Sequence, residues 1–113
     1  MVTEESLRLA TDRLVAQFRP QRVILFGSQA RGTADARSDV DLLVICPFDS
    51  RWETRRTLMV AMDRALCGLG FARDVIVLTP EEFERDRHIP GTVARPAWRE
   101  GKVLYEASCP ADS

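Results

Sequence analysis

The spacing of apolar residues along the chain predicts a protein in which helices alternate with buried strands. Residues 7–18 carry apolar side chains at helical spacing with charged residues between them, and Pro20 ends this helix. Residues 52–69 repeat the pattern in a second amphipathic helix. The run 23–26 is continuously apolar, which is typical of a strand buried on both faces. Residues 39–46 and 74–78 predict two further strands, each of which begins with aspartate and continues with apolar residues.

The second half of the chain predicts two more helices and an edge strand. The segment 79–82, TPEE, has the form of a capping box with a proline at the first helical position. We therefore expect a helix that begins there and runs to about Arg87. Thr92 is expected to cap a further short helix that ends near Glu100, and residues 102–105 predict a short edge strand.

Composition and charge narrow the class of protein. The 113 residues are 45% hydrophobic and 29% charged, as expected for one globular domain over residues 1–113 with a loose tail at 106–113. A net charge of −1 argues against general nucleic-acid binding. No apolar run approaches the ~20 residues of a membrane span, and the acidic N-terminus is unlike a signal peptide. Three cysteines without a CxxC pair favour a reduced, cytoplasmic protein. The order of the predicted helices and strands places the chain in the α/β class, and we expect no membrane partner.

Three aspartates stand at the beginnings of apolar strands. Asp39 and Asp41 are two apart, so on a strand they share a face with α-carbons about 6.6 Å apart. That spacing suits a pair of Mg²⁺ ions ~3.5–4 Å apart at a phosphoryl-transfer site. Asp74 can join them if its strand is a neighbour. The alternative is a merely polar strand edge, which explains Asp74 well but explains two carboxylates at the start of a buried strand less well.

A glycine and a serine end the first strand. Gly27 allows a sharp turn and a close approach of backbone to ligand, and a helix that begins at Ser28 would present free amides to a triphosphate. The alternative is an ordinary strand-to-helix turn. Residues 29–37 predict a short helix or turn followed by a loop, in which Arg31 could contact a phosphate or hold the loop. Arg55 and Arg56 are expected on a solvated helix face.

The segment from Gly27 to Val44, GSQARGTADARSDVDLLV, resembles the signature of the DNA polymerase β-like nucleotidyltransferase superfamily. That signature is Gly-Ser, a short spacer often containing Ala-Arg-Gly, and then Ser-Asp-x-Asp-Leu. Asp74 falls where the third carboxylate of the superfamily belongs. The size of the chain and the segment REGKVLYE at 99–106 are similar to the minimal nucleotidyltransferases, among them antitoxins of HEPN toxin–antitoxin pairs. The resemblance implies the superfamily fold, a small mixed sheet with covering helices.

The resemblance also implies a reaction and a set of site residues. AMP would pass from ATP to a tyrosine of a cognate HEPN-domain toxin, with Mg²⁺ or alternatively Mn²⁺ as cofactor. Asp39, Asp41 and Asp74 would be the catalytic and metal-binding residues, with Asp74 as the best candidate for the base. The residues that would bind the nucleotide are Gly27, Ser28, Arg31 and Ser38. A non-catalytic antitoxin and a nucleotide-sensing module are the alternatives, and the sequence leaves homo-oligomers open.

Overall fold

The structure, a computed structural model, describes residues 4–27, 40–48, 51–70 and 72–107 and places a four-stranded sheet at their centre. The elements are α1 Glu4–Phe18, β1 Arg22–Phe26, β2 Val40–Ile45, α2 Trp52–Ala65, β3 Arg73–Leu78, α3 Pro80–Asp86, α4 Ala94–Glu100 and β4 Lys102–Glu106. The short helix or turn predicted at 29–37 lies outside the described residues. Within them, no helix is long and apolar enough to cross a membrane.

The sheet is mixed, as the sequence predicts. Its strand order is β3-β2-β1-β4. β1 lies antiparallel to β2 and to β4, whereas β2 and β3 are parallel because α2 carries the chain back between them. β3 and β4 are therefore the edges of the sheet. The expected edge strand is confirmed, and β1 and β2 lie in the centre.

Helices cover both faces of the sheet, which explains the continuously apolar strands. Side chains that alternate along β1 to β3 belong in turn to two separate core clusters. The face covered by α1 and α2, here the α1/α2 face, includes the buried residues Leu14, Val23, Leu42, Met62 and Val77. The face covered by α3 and α4, here the α3/α4 face, includes Ile24, Leu43, Leu78, Phe83 and Ala97.

The predicted second helix ends earlier than its apolar pattern. The sequence places the end at Leu69, but α2 ends at Ala65. Gly68 then adopts φ +88°, a left-handed conformation that glycine accepts without a steric penalty. Arg13 of α1 donates from Nη1 to the Ala65 carbonyl oxygen at 3.1 Å and so binds the helix end. Leu66 still packs in the core beyond the helix, which is why apolar spacing alone overestimates its length.

The predicted start of α3 is confirmed, and Glu106 lies in β4 and not in the predicted tail. The Glu82 amide donates to Thr79 Oγ1 at 3.1 Å, and the Thr79 amide donates to Glu82 Oε1 at 3.0 Å, which completes the capping box. Glu106, assigned to the tail from sequence, instead belongs to β4. Its carboxylate lies 3.0 Å from Arg22 Nε on the neighbouring strand. Residues 108–113 lie outside the described part of the chain.

The predicted cap of the last helix is wrong. Thr92 Oγ1 donates to the carbonyl oxygens of Asp86 at 2.7 Å and Ile89 at 2.9 Å. The hydroxyl thus binds the end of α3, and Thr92 lies one residue before the capping position. α4 begins at Ala94 with Val93 in the capping position, which forms no side-chain cap.

Candidate active site

One end of the sheet brings together three residues that the sequence selects. β1 ends at Phe26 and Gly27 follows it, while Asp41 and Asp74 are the second residues of β2 and β3. Phe26 pairs with Asp41 in the antiparallel register. Asp41 pairs with Asp74 in the parallel register. The three positions therefore lie on adjacent strands in the order Gly27, Asp41, Asp74.

Gly27 lies against the carboxylate of Asp41. A Cβ built on Gly27 would overlap Asp41 Oδ2 and would lie 3.3 Å from its Cγ. Gly27 also has φ +79°, in the left-handed region where residues with a Cβ are strained. Two independent features thus require glycine here. The missing side chain leaves the space that the carboxylate occupies at the end of β1.

The two described aspartates face the same side of the sheet. Residues in register on neighbouring strands point to one face, and such strands are ~4.7–4.9 Å apart. Asp41 alternates with Leu43 and Asp74 with Ile76, both of which pack in the α3/α4 cluster. Asp41 is half-buried and Asp74 is exposed. Like charges directly opposite on a sheet are destabilising, so this pair is suited to a cation that both carboxylates could share.

The donor set fits a hard divalent cation. Carboxylate oxygens are the ligands that Mg²⁺ takes in proteins, together with water and substrate phosphates. Asp41 and Asp74 provide such oxygens from adjacent strands. No group of three potential metal ligands is complete within residues 4–27, 40–48, 51–70 and 72–107. Of the remaining predicted site residues, Asp39, Ser28, Arg31 and Ser38 all lie outside those ranges.

Arg73 connects β3, the strand that carries Asp74, to α2. Its Nε lies 3.1 Å from Asp63 Oδ1, and its Nη2 donates to the Asp63 carbonyl oxygen at 2.6 Å. Asp63 stands in the last turn of α2, so the bond ties the beginning of β3 to that helix. The Arg73 side chain is only 15% exposed, which limits its alternative positions. The backbone at Asp74 is thereby held at the edge of the sheet.

A second arginine, Arg55, makes contacts within the fold that the sequence analysis does not predict. Arg55 binds Glu82 in a bidentate pair with distances of 3.0 and 2.6 Å. It also donates to the Val77 carbonyl oxygen at 2.7 Å and lies over the Phe48 ring. Hydrogen bonding from Arg55, and secondarily from the Thr79 amide, lowers the pKa of Glu82. The pair joins α2 to α3 around the β3 edge, whereas Arg55 was expected on a solvated face.

Only half of this pair has a signal in the sequence. Glu82 is the third residue of the capping box, so a role for its carboxylate is predictable. Its bond to Arg55 joins residues 27 positions apart and depends on how α2 and α3 pack. Helical periodicity cannot report such a contact.

A groove of about 450 Å³ runs between α2 and the β3 edge and begins at Asp74. One wall is the beginning of β3 and the other is the outward side of α2. The described residues that line it are Arg56, Met59, Val60, Asp63, Arg64, Arg73, Asp74 and Val75. We call it the α2–β3 groove.

Known proteins are similar to this chain in sequence and in architecture. The profile of the nucleotidyltransferase domain family matches residues 7–104. A Methanocaldococcus jannaschii protein, provisionally named a protein adenylyltransferase, is 28% identical over 107 residues, which is 93% of this chain and 100% of that protein. A provisionally assigned nucleotidyltransferase of Sulfolobus solfataricus is 20% identical with a TM-score of 0.64, covering 90% of this chain and 78% of that one. A toxin–antitoxin structure with AMP-PNP is 20% identical with a TM-score of 0.56, covering 95% and 76%.

Proposed function

The chain belongs to the nucleotidyltransferase domain family, and from this premise we propose that it transfers AMP from ATP to a hydroxyl of a partner protein. The partner would be a HEPN-domain ribonuclease toxin, the acceptor a tyrosine, and the result neutralisation of the toxin. The observation that carries the proposal is the contact of Gly27 with Asp41, in register with Asp74. This is an acidic strand end at which glycine leaves the space that the Asp41 carboxylate occupies.

Two of the similar proteins support the choice of nucleotide and acceptor. The archaeal relative bears the name of a protein adenylyltransferase. The toxin–antitoxin structure of similar architecture contains AMP-PNP, an analogue of ATP. We extend both properties to this chain as part of the proposal. Its net charge of −1 is consistent with a protein acceptor, because it provides no general field for nucleic acid.

Each residue has a role in the proposed reaction. The acceptor hydroxyl oxygen forms a bond to the α-phosphorus while the bond to pyrophosphate breaks, and the hydroxyl proton passes to Asp74. Gly27 and Ser28, with Arg31 and Ser38, hold the triphosphate. Asp39, Asp41 and Asp74 would hold divalent cations, which supply charge stabilisation at the phosphate oxygens and lower the pKa of the attacking hydroxyl.

Intact-mass spectrometry of the partner tests the proposal. The product of the neighbouring gene, taken as the candidate HEPN-type partner, is incubated with the chain, ATP and Mg²⁺, and we expect its mass to rise by one AMP residue. Asp41→Asn should abolish the increment. Asp12→Asn, the same change on an exposed part of α1, should not.

EDTA should also abolish the increment, because the reaction requires the cation. An unmodified partner in the presence of parent protein would contradict the proposed acceptor. Efficient transfer to free aminoglycosides instead would replace the protein acceptor with a small molecule.

A further inference from the structure

The order of the site residues across the sheet indicates the side from which an acceptor arrives. Gly27 lies at the end of the central strand β1, Asp41 on β2, and Asp74 on the edge strand β3. In phosphoryl transfer the attacking and leaving oxygens lie roughly in line through phosphorus. If the leaving pyrophosphate is held beside Gly27, the attacking hydroxyl must come from the Asp74 side. That side opens at the β3 edge, where the α2–β3 groove begins.

We infer that the α2–β3 groove docks an acidic segment of the partner protein beside the hydroxyl that receives the nucleotide. The inference rests on the proposed function, since it uses the direction of that reaction. Asp74 is one of the residues that line the groove, so a chain bound there lies beside the candidate base. The groove and the exposed Asp74 carboxylate thus meet at the β3 edge.

The charges of the groove favour an acidic occupant, since its three arginines outnumber its two aspartates. Asp63 is neutralised by Arg73. The side chains of Arg56 and Arg64 are exposed and form no ion pair or hydrogen bond with another described residue. They stand eight residues apart on α2, about 12 Å along its axis. Their two positive charges are therefore available to carboxylates of a partner.

The apolar residues of the groove favour protein over RNA. Val60 stands between the two arginines on α2 and is 45% exposed. Met59 and Val75 line the groove beside it. A cationic rim around an apolar strip matches a peptide with acidic residues on either side of an apolar one. A nucleic-acid site would combine positive charge with stacking aromatic residues, and the described lining contains none.

Peptide binding tests the inference without requiring catalysis. The probes are a fluorescent tyrosine peptide rich in glutamate and its lysine-rich counterpart, measured by anisotropy in the absence of ATP. The full chain should bind the glutamate peptide more tightly, and rising salt should weaken this binding. The double variant Arg56→Glu/Arg64→Glu should bind it about tenfold more weakly, because both attractions become repulsions.

Arg8→Glu is the matched control, since Arg8 is an exposed arginine in the middle of α1. It should change the affinity less than twofold. All variants should retain the helical circular dichroism and the ATP affinity of the parent. In AMP transfer to the partner, the double variant should raise KM with little change in kcat.

Equal binding of the glutamate peptide by the parent and the double variant would overturn the inference. So would tighter binding of a short single-stranded RNA through the same two arginines. If peptide binding follows the expectation but no acceptor receives AMP, the groove assignment stands and the proposed reaction fails. If AMP is transferred but the two arginines have no effect on peptide binding, the proposed reaction stands and the groove assignment fails.

Discussion

Replacing Gly27 with alanine tests whether its contact with Asp41 positions the carboxylate that we propose to be catalytic. The added Cβ would overlap Asp41 Oδ2, so the carboxylate must move. The φ of +79° adds a backbone strain that exists without any neighbour. Gly27→Ala should therefore reduce both stability and transfer, through two separable causes.

The two causes have different magnitudes. A residue with a Cβ in the left-handed region costs about 1–2 kcal/mol. In a domain of about this size that loss corresponds to a fall in Tm of roughly 4–8 °C. Misplacing a catalytic group by about 1 Å can cost ~100-fold in rate, or about 2.7 kcal/mol of activation free energy. We expect the rate of AMP transfer to fall by far more than the small unfolded fraction of the protein can account for.

Gly91→Ala separates the strain from the contact. Gly91 has φ +92°, but a Cβ there would meet nothing within 4 Å. Thermal unfolding by circular dichroism should show comparable destabilisation for Gly27→Ala and Gly91→Ala. AMP transfer, measured well below both melting temperatures, should fall ~100-fold in Gly27→Ala alone. Parent-like transfer by Gly27→Ala would refute the reasoning.

Two further changes address the carboxylate pair and the α2–α3 connection. Asp74→Asn should lower transfer ~100- to 1,000-fold, yet leave the metal-free Tm level or higher because a like-charge pair is relieved; a clear loss of Tm would contradict this. Glu82→Gln should lower the urea-derived free energy of unfolding by about 1–2 kcal/mol at pH 7, because Arg55 loses a charge-assisted bond. The folded-state pKa of Glu82 lies below its ordinary 4.5, so this stability is present above about pH 4.5 and is lost as pH falls through the lowered value. A gap between parent and Glu82→Gln that does not narrow as the pH falls below 4.5 would count against the pair.

Apolar periodicity predicts the elements of this fold better than their ends. The continuous runs correspond to β1, β2 and β3 because helices bury both faces of the sheet. The errors occur where a tertiary contact overrides a local preference. Arg13 binds the carbonyl end of α2 before its apolar pattern stops, and the Thr92 hydroxyl is taken by the end of α3. The Arg13 contact joins residues 52 positions apart, so spacing cannot reveal it. The Thr92 contacts span three and six residues, but apolar spacing does not report where a hydroxyl donates.

The candidate site shows the same division between local and distant information. The spacing of residue types selects Gly27, Asp41 and Asp74, and their common location follows from strand pairing. The sequence cannot show that a carboxylate fills the space beside Gly27, because that depends on the register of β1 with β2. The groove along α2 is also invisible to it. Arg56 looks like any solvated residue until β3 is placed beside the helix.

The register of β2 with β3 bears on function as well as on fold. It places Asp41 directly opposite Asp74, and like charges directly opposite each other destabilise a sheet. Stability alone would favour a neutral or oppositely charged partner at either position. Arg73 is turned towards Asp63 on α2. A cation shared by the two carboxylates would offset their repulsion, so the thermal stability of the domain should rise when Mg²⁺ and ATP bind.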